Sequence, residues 1–187
     1  MATRPAAHDD WTIARLHDLP DDGNRYEIVD GVLYVTPSPG VAHQWALSLL
    51  FQMLSPYARS VGLDIMWSPA DIQYSERTVV QPDIFAFVHR PGMSVRSWAD
   101  VHPLVLVVEA LSRSTRRRDR TIKRALYQSQ RIDEYWIADA DRRTIERWRP
   151  DATDAEVAHD WLDWQPVAAH DPLRIDVGAY FRRVIDG

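Results

Sequence analysis

LVLVVEALSRSTRRRDRTIKRALYQSQRIDEYWIAD, residues 104–139, is the stretch that decides the fold. It opens on Leu104-Val105-Leu106-Val107-Val108, an aliphatic run typical of a central strand covered on both faces. Ser112 or Ser114 can cap a helix that runs to about Ser129. Glu134 to Ala138 reads as another strand, and Thr144 to Trp148 returns beside it after a turn at 139–142.

Upstream, Tyr26 to Val29, Asp30-Gly31 and Val32 to Val35 spell a β-hairpin, because Asp-Gly tolerates the positive φ angles of a tight turn. Ala46, Leu49, Leu50, Met53 and Leu54 recur at helical spacing from about Val41, and Pro56 and Gly62 are expected to close that helix. Leu63 to Trp67, Ile72 to Tyr74 and Val79 to Val88 read as strands, and a loop with a turn of helix follows to His102. Asp9 or Asp10 can cap a short first helix through Ile13 and Leu16. Hairpin, helix, three strands, helix and two strands predict an α/β chain with a mixed sheet flanked by helices. Residues 1–187 read as a single domain with its core at about 26–149 and a less regular segment at 150–187, where Leu173 to Val177 is a last strand before a terminal helix.

The absence of cysteine excludes disulfides and thiolate chemistry. The apolar runs are too short to span a bilayer, and Met1 to Asp10 lacks a signal-peptide core, so a cytoplasmic protein without membrane contact is expected. The net charge of −5 gives no overall attraction for polyanions. A local cluster does: Arg116, Arg117, Arg118 and Arg120 sit close together, and guanidinium groups bind phosphate oxygens in pairs. The ordinary fate of such a cluster is a solvated helix face.

Glu109 is the anomaly in the aliphatic run. Its bland explanation is that the strand emerges there or that an arginine pairs with it. Asp83 shifts the balance, because Pro82-Asp83 opens the apolar segment Ile84 to Val88. Adjacent strands could bring the two carboxylates together, and a divalent cation relieves such a pair. A lysine two residues past Glu109 would share its strand face, but that position is Leu111. The next helix instead carries Asp119, Lys123, Tyr127 and Gln130 along one stripe, beside an expected core-facing stripe of Ile122, Ala125, Leu126 and Ser129. Lys123 could reach back over the carboxylates, or form an ordinary surface pair with Asp119.

The stretch VVEALSRSTRRRDRTIKRALYQSQRIDEYWIAD, with YEIVDGVLYVTPSPGVAH and QPDIFAFV upstream, resembles the Uma-two family of restriction-endonuclease-like proteins in the PD-(D/E)xK superfamily. That resemblance implies a restriction-endonuclease-like core. Asp83 and Glu109 match the metal ligands, for Mg²⁺ or Mn²⁺, and Lys123 matches a catalytic lysine displaced onto the helix. Glu27 and His43 match further polar positions, and Asp119 is placed to orient Lys123. Two departures stand out. Arg113 replaces a usual proline, and Arg131-Ile132-Asp133 stands where the family has Gly-Val before Glu-Tyr-Trp.

Taken alone, His43 is as well explained as a satisfied core histidine, and Glu27 as an exposed hairpin residue. The expected function is a metal-dependent endonuclease acting on DNA. The alternative is a non-catalytic module binding nucleic acid or protein. A homodimer is compatible with either, with the tryptophan-bearing tail as a candidate contact.

Overall fold

The computed structural model describes residues 10–90, 92 and 94–186. The hairpin forms as β1 (Arg25–Val29) and β2 (Val32–Thr36), in register from Arg25 opposite Thr36 to Val29 opposite Val32. Asp30 and Gly31 both take positive φ, 51° and 81°, as the tight turn requires. The first helix, α1 (Ile13–Leu16), is capped by Thr12, not by Asp10, while Asp9 lies outside the described residues.

α2 (Val41–Ser60) runs through Pro56 to Ser60 instead of stopping there. A proline removes one hydrogen bond from the helix ladder, and Leu54 and Ala58 on either side remain fully buried. β3 (Leu63–Trp67), β4 (Ile72–Ser75), β5 (Thr78–Val80) and β6 (Ile84–Val88) follow. The expected run from Val79 to Val88 is thus two strands, split at Gln81-Pro82-Asp83, and the two belong to different sheets.

β7 (Leu104–Ala110), β8 (Glu134–Asp139), β9 (Thr144–Trp148) and β10 (Glu156–Ala158) complete a six-stranded sheet in the order β10-β9-β8-β7-β6-β3. β7 and β8 are parallel and the other neighbours antiparallel, so the sheet is mixed. A four-stranded sheet, β2-β1-β5-β4, forms a second layer. The tail is more regular than its sequence suggested. β11 (Trp161–Trp164) and β12 (Leu173–Asp176) pair, and α5 (Val177–Asp186) packs on α2, where the Tyr180 hydroxyl donates to the Ala46 carbonyl at 3.1 Å. Trp136 and Trp164 are fully buried and meet edge to face, while Trp161 remains about half exposed.

Both faces of β7 are covered. Leu106 and Val108 pack with α2, α5 and the tail, whereas Val107 packs with Phe85, Tyr135, Leu126 and residues of the small sheet. Glu109, two residues beyond Val107, points to that second side.

The helix after β7 starts at α3 (Arg116–Arg118); Thr115 stands at the N-cap position without a side-chain cap bond, and Ser112 Oγ accepts from the Thr115 amide at 3.2 Å one turn earlier. A π-helical turn, Asp119–Lys123, leads into α4 (Arg124–Ser129). The wider turn changes the helix phase: Asp119, Lys123 and Tyr127 are buried, and Ala125 and Ser129, expected to face the core, are exposed. Such turns are frequent at functional sites.

α4 ends with Arg131 at φ 53°, where the Ile132 amide returns to the Tyr127 carbonyl. A side chain in that region costs about 1–2 kcal/mol, and the exposed pair of Arg131 with Asp151 offsets only part of it. Arg131→Gly is therefore expected to raise the melting temperature by roughly 2–4 °C. An unchanged or lowered value in a thermal melt would count against the strain. Among the described residues no helix is long and apolar enough to cross a membrane.

Candidate active site

Asp83, Glu109, Glu27, Asp119, Lys123, Arg25, Arg118 and His43 converge where the two sheets and the helix meet. Asp83 ends the crossing segment just before β6, and Glu109 is the penultimate residue of β7. Ile84 lies opposite Val108, so the two carboxylates flank the same pair of strands. The Ala110 amide donates to Asp83 Oδ2 at 2.9 Å. Asp83 Oδ1 accepts from Arg25 at 2.8 Å, and Oδ2 lies 3.1 Å from His43 Nε2. Burial works to raise the Asp83 pKa. The His43 hydrogen bond and the Arg25 charge overcome it and hold the group below the usual carboxylate range.

Glu109 Oε1 accepts from Lys123 Nζ at 2.7 Å and from the Tyr127 hydroxyl at 3.1 Å. No donor among the described residues reaches its Oε2. Burial pushes the Glu109 carboxyl up to about 8. Lys123 opposes that shift, and the charges of Asp83, Asp119 and Glu27 add to it.

Lys123 is 1 % exposed and also lies 2.7 Å from Glu27 Oε1. Burial disfavours its charge, but the carboxylates of Glu109, Glu27 and Asp119 keep its pKa above the ordinary value. The surface pair with Asp119 is not formed. Glu27, expected as an exposed hairpin residue at worst, is fully buried. It accepts from the Gln81 amide at 2.8 Å and lies 2.9 Å from Arg118. Burial of Glu27 is overcome by Lys123, Arg118 and Arg25, so its pKa is lowered. Asp119 is buried too and its pKa is raised, chiefly by that burial.

Four buried carboxylates, Asp83, Glu109, Glu27 and Asp119, thus face three permanent cations, Arg25, Arg118 and Lys123. The excess of carboxylates over cations is felt most at Glu109, which answers it by holding its proton up to about pH 8. A cleft of about 210 Å³ opens over this arrangement, lined by Asp83, Glu109, His43, Arg25 and Arg118 among others. Lys123 is not in its wall; the ammonium sits behind Glu109.

The arginine cluster divides. Arg118 faces the cleft. Arg120 is held by Glu146 and Asp139, at 2.9 Å and 2.7 Å, and Arg116 pairs with Asp141. Arg117 is exposed and has no ion-pair partner among the described residues. Sequence reasoning missed Arg25, which closes Asp83, and the Tyr127 hydroxyl on Glu109. Tyr127 was legible only in part, because it shares a helix stripe with Lys123. For Arg25 no local pattern gave a signal.

No set of three or more His, Cys, Asp or Glu side chains is gathered to hold a metal among the described residues. Mg²⁺ does not require one, since it often takes one or two carboxylates and keeps several waters. The chemistry fits such an ion: hard oxygen donors, one Glu109 oxygen without a protein donor, and a carboxyl whose proton a bound cation would displace.

A search of curated proteins finds no match. Among solved structures, a crystal structure from Anabaena variabilis ATCC 29413, titled as a "putative nuclease belonging to DUF820", is similar with a TM-score of 0.72. Its sequence is 16 % identical, and the match covers 94 % of this chain and 99 % of that one, a likeness of fold. The fold is restriction-endonuclease-like. The model of the Uma2 family, described as "Putative restriction endonuclease", matches residues 13–173. That span takes in both sheets' site strands and the helix of Lys123, and the chain belongs to the Uma2 family.

Proposed function

We propose that this protein is an endonuclease that hydrolyses phosphodiester bonds of DNA with Mg²⁺ or Mn²⁺ held by Asp83 and Glu109. The observation that carries the proposal is the buried excess of carboxylate at the floor of a cleft whose wall also bears Arg25 and Arg118. A divalent cation bound there supplies Lewis-acid polarisation of a phosphoryl oxygen and lowers the pKa of water. Lys123 keeps Glu109 and Glu27 in place from behind, and so acts as a positioning residue. Arg25 and Arg118 present guanidinium groups to the cleft, where they can meet phosphate oxygens. His43 and the Ala110 amide fix the orientation of Asp83.

The test is thermal melting with Mg²⁺ or Mn²⁺, followed by plasmid nicking. The cation is expected to stabilise the native protein by about 2.7 kcal/mol at a hundredfold excess over Kd. Asp83→Asn, which keeps the shape, is expected to lose both the shift and the nicking. A shift of equal size in Asp83→Asn would remove the metal from this site.

A second reading, a non-catalytic nucleic-acid-binding module, draws on the engagement of both Asp83 oxygens by protein donors. DNA binding without nicking in either cation would favour it.

A further inference from the structure

A second cleft, of about 370 Å³, adjoins the first and shares Arg25 and Asp83 with it. Its volume falls in the roughly 300–1,000 Å³ range of small-molecule sites. Its wall is mainly apolar and includes Phe51 and Leu47 from α2 and Trp67 from β3. Trp67 is 59 % exposed and stands edge to face against Phe51, with ring centroids 4.5 Å apart. It lies opposite Ile84 in the β3–β6 register, one residue from Asp83, and the next amide, Ser68, donates to the Asp83 carbonyl at 3.0 Å. At the rim, Gln44 is exposed and its side-chain amide has no hydrogen-bond partner among the described residues.

We infer that this cleft receives an unpaired nucleobase next to a phosphate met by Arg25 and Arg118 over the Asp83–Glu109 site, so that the substrate is single-stranded or locally opened DNA. This inference rests on the nuclease reading and names its substrate class. Three features support it. An exposed indole offers a flat face for stacking, which is worth about 1–3 kcal/mol per base and tolerates any sequence. The Gln44 amide offers one donor and one acceptor to a base edge. The two clefts share the Asp83 wall, as a base and its own phosphate would require. A paired base, stacked inside a duplex, cannot enter such a pocket without being extruded.

The test uses the full chain and a short single-stranded deoxyoligonucleotide with 2-aminopurine at its centre. Its fluorescence is followed on titration, in Ca²⁺ and in EDTA. Stacking is expected to quench the probe, and Trp67→Ala to weaken binding roughly 5- to 150-fold. Trp67→Phe is expected to restore most of the affinity. Trp161→Ala, which removes another half-exposed indole on β11 outside the cleft, is expected to bind as the parent does. The same strand in a duplex is expected to bind more weakly than the free strand.

Equal affinity of Trp67→Ala and the parent for the single strand would overturn the pocket. If the parent still nicks plasmid, the endonuclease reading survives that result. A parent that neither binds the strand nor nicks would sink both. Trp67-dependent quenching without nicking would uphold the pocket on a non-catalytic module.

Discussion

Replacing Lys123 with Met is expected to lower the free energy of unfolding by about 3–5 kcal/mol, the cost of removing one partner from a buried charge pair. Met preserves the volume of the aliphatic stem, so the loss reports the ammonium and not a cavity. The ammonium lies 2.7 Å from both Glu109 and Glu27, and both carboxyl groups are buried. For a chain of 187 residues the melting temperature should fall by roughly 6–20 °C. Adding Glu27→Gln and Glu109→Gln to Lys123→Met should recover most of the loss, because neither position can then ionise without its cation. Chemical denaturation of the single and triple variants checks both statements. A loss below about 1 kcal/mol in Lys123→Met would show that these carboxylates do not depend on its charge.

Glu109→Gln is expected to act in the opposite direction on stability and to abolish function. Burial raises the Glu109 pKa from 4.5 to about 8. Between those values the folded protein keeps a proton that the unfolded chain releases. The native state then binds more protons, so stability falls as pH rises through that window and levels off above it. Gln carries no such penalty and can still accept from Lys123 and Tyr127. At pH 8, with divalent metal chelated, the variant should exceed the parent by on the order of 3 kcal/mol. Nicking should drop at least about a hundredfold, because a neutral amide is a poor ligand for a hard cation. Melting curves from pH 5 to 9, with plasmid nicking alongside, test both. A parallel pH dependence in parent and variant would refute the proton on Glu109.

Where short-range pattern decides structure, the sequence was sufficient. Asp30-Gly31 specifies the hairpin turn, and the aliphatic run before Glu109 specifies a strand covered on both sides. It failed where distant partners decide. Val79 to Val88 reads as one strand, although Pro82 marks a break, and the two halves join different sheets on either side of Gln81-Pro82-Asp83. Pro56 is tolerated because its neighbours are locked in the core, which no local rule foresees. In the helix after β7, polarity found Leu126 and Ile122 on the packed side, misplaced Ala125 and Ser129, which are exposed, and did not foresee that Asp119 and Lys123 are buried. The π turn supplies the phase change, and the buried carboxylates supply the reason for a lysine to face inward. Asp83, Glu109 and Lys123 were singled out as candidates from motif and resemblance, and the structure places Glu27 beside Lys123 and His43 beside Asp83. Arg25 escaped because its partner, Asp83, is 58 residues away.

The crossing at Gln81-Pro82-Asp83 has a mechanical consequence. Arg25 and Glu27 ride on the small sheet, whereas Asp83 leads into the large one and Glu109 belongs to it. Sliding one layer over the other by the width of an atom would part the Arg25–Asp83 contact and loosen the grip of Lys123. The charged knot therefore works as a rivet through both plates. Mutations in the distant packing between them should be felt at the cleft as changes in how firmly it is clamped.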